Sequence, residues 1–410
     1  LAARDYLSTF LKIGAIVALA AGIVIMAPPL QMPALTQYIH GGGPVWSGSL
    51  FPFLFITIAC GAVSGFHALI ASGTTPKLIA SEADAPLIGY GAMLMEAFVA
   101  IMALVGASIL DPGLYFAMNS PAALLGTSPE SAAAAVTAMG FPITPDALAQ
   151  TARDVGEASI ISRTGGAPTL AVAMAEIFSH VVGGPAMKAF WYHFAILFEA
   201  LFILTAVDAG TRAGRFMLQD LIGLAVPSFR SSASFVPGVV ATGLCVAAWG
   251  FFLYQGVTDP LGGVNTLWPV FGISNQMLAA IALMLATVVL FRMKQDRFAW
   301  VTVVPTIWLL ICTVSAGMLK LVSPDPAVSF VSHALKFSAA AARGEVLAPA
   351  ASMEEMRRII FNDWVDAGLC VLFLAVVLSL LGFTIRTIPA ARRTNAPTAH
   401  ELGAQAVAAE

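Results

Sequence analysis

The chain has 410 residues, of which 59% are hydrophobic and only 10% charged, with a mean hydropathy of +0.86. A water-soluble domain averages about 25% charged residues, so this composition excludes an ordinary soluble fold and points to an all-α, polytopic membrane protein. The net charge of -3 carries no information about partners, and nothing in the sequence suggests nucleic acid. Four cysteines, Cys60, Cys245, Cys312 and Cys370, sit in or beside separate apolar segments without CxxC spacing, which indicates neither a disulfide framework nor a metal site.

A membrane-spanning helix needs about 20 mostly apolar residues. Candidate segments lie at 11–28, 50–71, 88–109, 168–182, 188–208, 236–255, 268–292, 300–321 and 364–385. This predicts about eight to nine transmembrane or re-entrant helices. Trp191, Trp268, Trp300 and Trp364 fall near segment ends, where aromatic rings favour the membrane interface. The chain begins Leu1-Ala2-Ala3-Arg4-Asp5 with no signal-peptide pattern, and reads as a piece lacking its first helices.

Lysine and arginine set the orientation. The stretch 29–49 has neither and is expected outside, Lys77 puts the next connection inside, and Arg212, Arg215 and Arg230 mark a later internal loop. Arg386, Arg392 and Arg393 place the tail inside. These assignments close only if 168–182 is not a single full crossing, or if another crossing hides near 114–125, where Asn119 and Pro121 weaken it. The first alternative predicts a re-entrant or half-length helix shielded by protein. The stretch 111–166 is expected to be an external loop with short helices, one of them capped by Thr144 with Pro145 in its first turn. The part 353–360 reads as a surface helix, and the polar tail after Arg386 as disordered.

The stretch 61–77, GAVSGFHALIASGTTPK, changes character within one turn of a very apolar run. Small, polar and helix-weakening residues at membrane depth are tolerated where they are buried or line a wet cavity. Discontinuous transporter helices have this character. A plain Gly61-x-x-x-Gly65 packing patch is the alternative. The first reading makes Gly61, Ser64, Gly65, His67, Ser72, Gly73, Thr74 and Thr75 candidate substrate contacts, with Asn275 and Gln276 of the seventh segment.

Ionisable groups inside membrane segments are costly and often functional. Glu96, Glu176, His180, His193 and Glu199 are the candidates for proton coupling, with inter-helix hydrogen bonding as the structural alternative. Glu176 and His180 are four apart and share a helix face. Asp208 is expected at a helix end or in a salt bridge. No H-E-x-x-H, G-x-S-x-G or Walker A pattern occurs, so no catalytic residue, metal or cofactor is assigned.

The run from Gly61 to Leu104 resembles the signature region of the carbon starvation protein A family. The likeness extends through 44–52, 111–119, 165–170, 190–202, 208–220 and 267–276, and is weaker after about Leu321. It implies a multi-pass protein of the bacterial inner membrane, a helical core at 1–183, further family helices at 184–330, a loop and last helix at 331–386, and a cytoplasmic tail at 387–410. The implied activity is secondary transport of short peptides or pyruvate, with protons, during carbon starvation. The implied fold is similar to the inverted-repeat fold of the amino acid–polyamine–organocation superfamily. A nutrient-binding sensor without net transport is the other reading.

Overall fold

A computed structural model gives the fold, and it describes the backbone of residues 2–229 and 235–393. Arg230 and the tail from residue 394 lie outside the described residues. The helices in chain order are α1 (Ala2–Met26), α2 (Leu50–Ile58), α3 (Gly65–Gly73), α4 (Ala85–Ile109), α5 (Pro112–Asn119), α6 (Ala122–Leu125), α7 (Pro129–Ala138) and α8 (Pro145–Val155). They continue as α9 (Gly166–Val181), α10 (Lys188–Gly223), α11 (Phe235–Thr258), α12 (Gly263–Arg292), α13 (Trp300–Val322), α14 (Phe330–Ala342) and α15 (Met353–Arg393). Eight spans among the described residues are long and apolar enough to cross a membrane, α2 and α3 counting as one. The protein is a multi-pass, all-helical membrane protein.

The chain divides into two compact units. The first comprises 1–47, 70–265 and 344–356. Its centre is α9, which packs against α1, α4, α5 and α10. Ala171, Ala173, Ala175 and Ile177 of α9 are fully buried, and small side chains let four neighbours approach one short helix. α9 has 16 residues. At about 1.5 Å per residue it reaches about 24 Å, short of a bilayer core of about 30 Å.

No crossing hides at 114–125. Pro121 ends α5, and the eight-residue α5 and four-residue α6 are both too short to span. Asn119 instead ties α5 to the start of α9. Its Nδ2 donates to Thr169 Oγ1 (2.9 Å) and Tyr115 O (3.0 Å), and its Oδ1 accepts from Gly165 N (3.2 Å). Three of the short helices of 111–166, α5, α7 and α8, start at side-chain caps followed by proline. Asp111, Ser128 and Thr144 accept from the amides of Leu114, Ser131 and Ala147. Such caps satisfy amides that the first helical turn leaves open.

The second unit comprises 48–69, 266–343 and 357–410. α2 and α14 pack on α13. Met277 and Met284 of α12 meet Val377 of α15, and Ala279 and Ala280 meet Leu309 of α13.

Two helices outrun their expected ends. α10 continues fifteen residues past Asp208 to Gly223, and Asp208 pairs with Arg212 one turn on (3.4 Å) instead of closing the helix. α15 starts at Met353, so the expected surface helix and last membrane helix are one 41-residue rod. Its helix also takes in 387–393, the start of the expected disordered tail.

Candidate functional site

The second membrane span, Leu50–Gly73, is broken at its centre. α2 and α3 have nine residues each and flank a 3₁₀ turn at Ala59–Gly61. Ala59 has a positive φ of 49°, a conformation that interrupts the helical ladder. Buried backbone groups freed by a break need partners. α12 supplies them. Asn275 Oδ1 accepts from Phe66 N (2.9 Å), while Asn275 Nδ2 donates to Val63 O (3.2 Å). Gln276 Nε2 donates to Phe55 O (2.5 Å), and Trp268 Nε1 donates to Thr57 O (2.9 Å).

Two glycines make this close approach possible. A Cβ on Gly65 would lie 2.0 Å from Asn275 O, and one on Gly272 would lie 2.2 Å from Ile56 O. Gly65 therefore packs on α12, whereas Gly61 is exposed with only Ile58 Cγ2 near a built Cβ (3.3 Å).

The other residues of 61–77 divide by position. Ser64 Oγ accepts from His67 N (3.2 Å) and shares a hydrogen bond with Cys60 Sγ (2.9 Å). His67 and Ser72 of α3 are exposed. Thr74 is buried, and the hydroxyls of Thr74 and Thr75 both donate to Ile70 O (3.1 and 3.2 Å), closing α3 just after Gly73.

The first unit holds a charged cavity of about 220 Å³. Asp111, Asp154, Glu176 and Lys188 line it together with Gln31 and Thr151. Lys188 Nζ lies 2.6 Å from Glu176 Oε2 and 4.0 Å from Asp154 Oδ2. The turn through Gly183 and Gly184, both at positive φ, folds the start of α10 back on α9 and brings Lys188 to Glu176. Three carboxylates and one ammonium around a small cavity can hold or pass a proton.

The five candidate proton carriers are not gathered in one place. Glu176 joins the cavity. His180 is exposed one turn further along α9. His193 is exposed on α10, and its Nδ1–H donates to Ala189 O (2.8 Å). Glu199 is half-buried on α10, and Glu96 is on the exposed face of α4. Lys188 and Asp154 complete the cavity, and no local spacing in the sequence links them to Glu176.

Residues 1–316 match the family model described as carbon starvation protein CstA. The peptide transporter CstA of Escherichia coli K12 is 62% identical over 407 residues, covering 98% of this chain and 58% of that protein. The pyruvate/proton symporter BtsT of the same organism is 57% identical over 424 residues, covering 98% of this chain and 59% of that protein. The peptide transporter CstA of Bacillus subtilis is 39% identical, covering 77% and 50%. The chain thus spans between half and three-fifths of the length of these relatives. No solved structure matches it. By its match to the family model over most of its length, the chain belongs to the carbon starvation protein CstA family.

Proposed function

We propose that the protein is a secondary transporter of the bacterial inner membrane, with its C-terminus in the cytoplasm. It takes up a small carboxylate-bearing solute, a short peptide or pyruvate, with protons during carbon starvation. The relatives, a peptide transporter and a pyruvate/proton symporter, support this class. The observation that carries it is the break between α2 and α3, held on both sides by Asn275.

The break is the solute site of this reading. Gly61, Ser64 and His67 face the solute, and Gly65, Asn275 and Gln276 shape and hold the interrupted backbone, while Ser72, Gly73, Thr74 and Thr75 belong to the end of α3 and not to the break. Half-helix ends at a break present partial charges to a charged solute. Proton carriers come from Glu96, Glu176, His180, His193 and Glu199, with Glu176 favoured by its place beside Lys188.

Uptake of labelled pyruvate and labelled dialanine into proteoliposomes under an imposed pH gradient tests the reading. Accumulation of either, abolished by a protonophore, is expected. Binding of both without accumulation would sink it.

A further inference from the structure

Three membrane spans meet at one end of the second unit. Leu267–Arg292 and Met353–Arg392 finish there, and Trp300–Val322 starts there. In the link from α12 to α13, Lys294 takes a left-handed φ of 58° and Asp296–Phe298 forms a 3₁₀ turn. Gln295 N donates to Leu290 O (2.9 Å) and closes α12. Phe291, Ala299 and Ala391 form a buried core beneath this turn, with Val288 and Ile388 packed on it. Polar contacts fasten α15 to the same turn. Lys294 Nζ donates to Arg392 O, Arg392 Nε lies 3.2 Å from Asp296 Oδ2, and the Arg392 guanidinium sits over the Phe291 ring at 4.6 Å.

The surface of this packed turn is strongly basic. Arg292, Lys294, Arg297 and Arg392 are all exposed, and Asp296 is the carboxylate among them. Asp296 is taken by Arg392. Among the described residues, no carboxylate lies within ion-pair distance of Arg292, Lys294 or Arg297. Basic side chains commonly complement the negative end of a helix. That role covers Arg292, in the last turn of α12, and Lys294, at the end of α15. It does not cover Arg297, which stands just before α13, where the helix dipole disfavours a cation. An anion on this surface would relieve that conflict.

Apolar side chains flank the charge. Met293 is 55% exposed, Phe298 44% and Trp300 66%. The Arg297 guanidinium lies over the Phe298 ring at 4.5 Å. Exposed aromatic rings and basic groups at span ends belong at the level of the lipid headgroups. A soluble anion would need only the charge. The apolar flank fits a ligand that carries acyl chains below its phosphate.

We propose that Arg292, Lys294 and Arg297, with Phe298 and Trp300, form a binding surface for the headgroup of an anionic phospholipid. The lipid phosphate accepts charge-assisted hydrogen bonds from the guanidinium and ammonium groups. Trp300 and Phe298 lie against the glycerol and the upper acyl chains. A zwitterionic lipid carries its own cation, which the excess positive charge repels. The proposal involves neither the solute nor its proton, so it is separate from the transporter reading.

The test uses the full chain in phosphatidylcholine liposomes. They carry a trace of either phosphatidylglycerol or phosphatidylcholine with a photoactivatable group beside the headgroup, and labelled peptides are read by mass spectrometry. The phosphatidylglycerol probe is expected to label 291–301 and 386–392 in clear preference to the phosphatidylcholine probe. A basic residue beside an anionic lipid is worth about fivefold, so Arg297→Gln should lower that preference about fivefold, and Arg292→Gln with Arg297→Gln about 25-fold. The single variant lies in an exposed turn and keeps the test should the double variant fail to fold. Equal labelling by the two probes overturns the proposal, as does an unchanged preference in folded Arg297→Gln protein. Excess inorganic phosphate at constant ionic strength is expected to leave labelling unchanged. Displacement of the lipid by phosphate would assign the surface to a soluble anion and overturn the lipid.

Discussion

Gly65 and Asn275 are packed so closely that a methyl group on Gly65 would lie 2.0 Å from the Asn275 carbonyl oxygen. The same methyl would meet Leu278 Cβ at 2.4 Å and Ala279 N at 2.6 Å. Backbone atoms cannot rotate away as a side-chain tip can. Gly65→Ala is therefore expected to cost at least the ~1–3 kcal/mol typical of overpacking. Gly61→Ala, which meets only one side-chain atom, is expected to cost much less. Melting temperatures of the two variants in detergent check this, and equal losses would contradict it.

Asn275→Leu removes the partners of Phe66 N–H and Val63 C=O at once. Each buried group left open costs about 1–3 kcal/mol. Gln276→Leu should be milder. It loses one bond to Phe55 O, but it also removes Gln276 Oε1, which is buried without a hydrogen-bond partner among the described residues. The expected order of melting temperature is wild type, Gln276→Leu, Asn275→Leu.

Glu176→Gln separates proton work from stability. The Glu176–Lys188 pair is partly exposed, with side chains 44% and 22% accessible, so its loss should cost no more than about 1 kcal/mol. Lys188 keeps Asp154 as a neighbour. The expected result is a near-normal melting temperature together with uptake that no longer responds to the pH gradient. Unchanged pH-driven uptake would remove Glu176 from the proton path.

Cys60 is a native reporter for the break. It is half-buried beside Ser64, whereas Cys312 and Cys370 are buried and Cys245 is half-buried on α11. A small maleimide is expected to modify Cys60 and Cys245 and to spare the other two. Pyruvate or dialanine should slow modification of Cys60 alone, read by peptide mass spectrometry. Equal protection at Cys245 would place the solute elsewhere.

Much of this architecture was legible in the chain because apolar run length and helix length are tied together. The shortness of α9 was legible too, since both its length and the positions of arginine and lysine disagreed with a full crossing. Helix ends were not. Asp208 and Arg212 look like a membrane boundary, yet at four residues apart they support the helix that continues through them. The ties of Asn119 to Gly165 and Thr169 join residues about 50 apart, which no local pattern signals. Lys320 and Asp366 did fall inside the apolar segments 300–321 and 364–385. Neither stands among the candidate proton carriers; their burial, with Lys320 over the rings of Phe53 and Phe330, shows only in the fold.

The equal lengths of α2 and α3 carry an electrical consequence. A break midway along the span puts any charge held there at about half the electrical distance from either face. Moving a unit charge across the whole membrane is worth ~2.3 kcal/mol per 100 mV, so half of it is ~1.2 kcal/mol. A carboxylate bound alone and a carboxylate bound with one proton would then respond differently to voltage. The voltage dependence of solute binding thereby counts the charge that occupies the break.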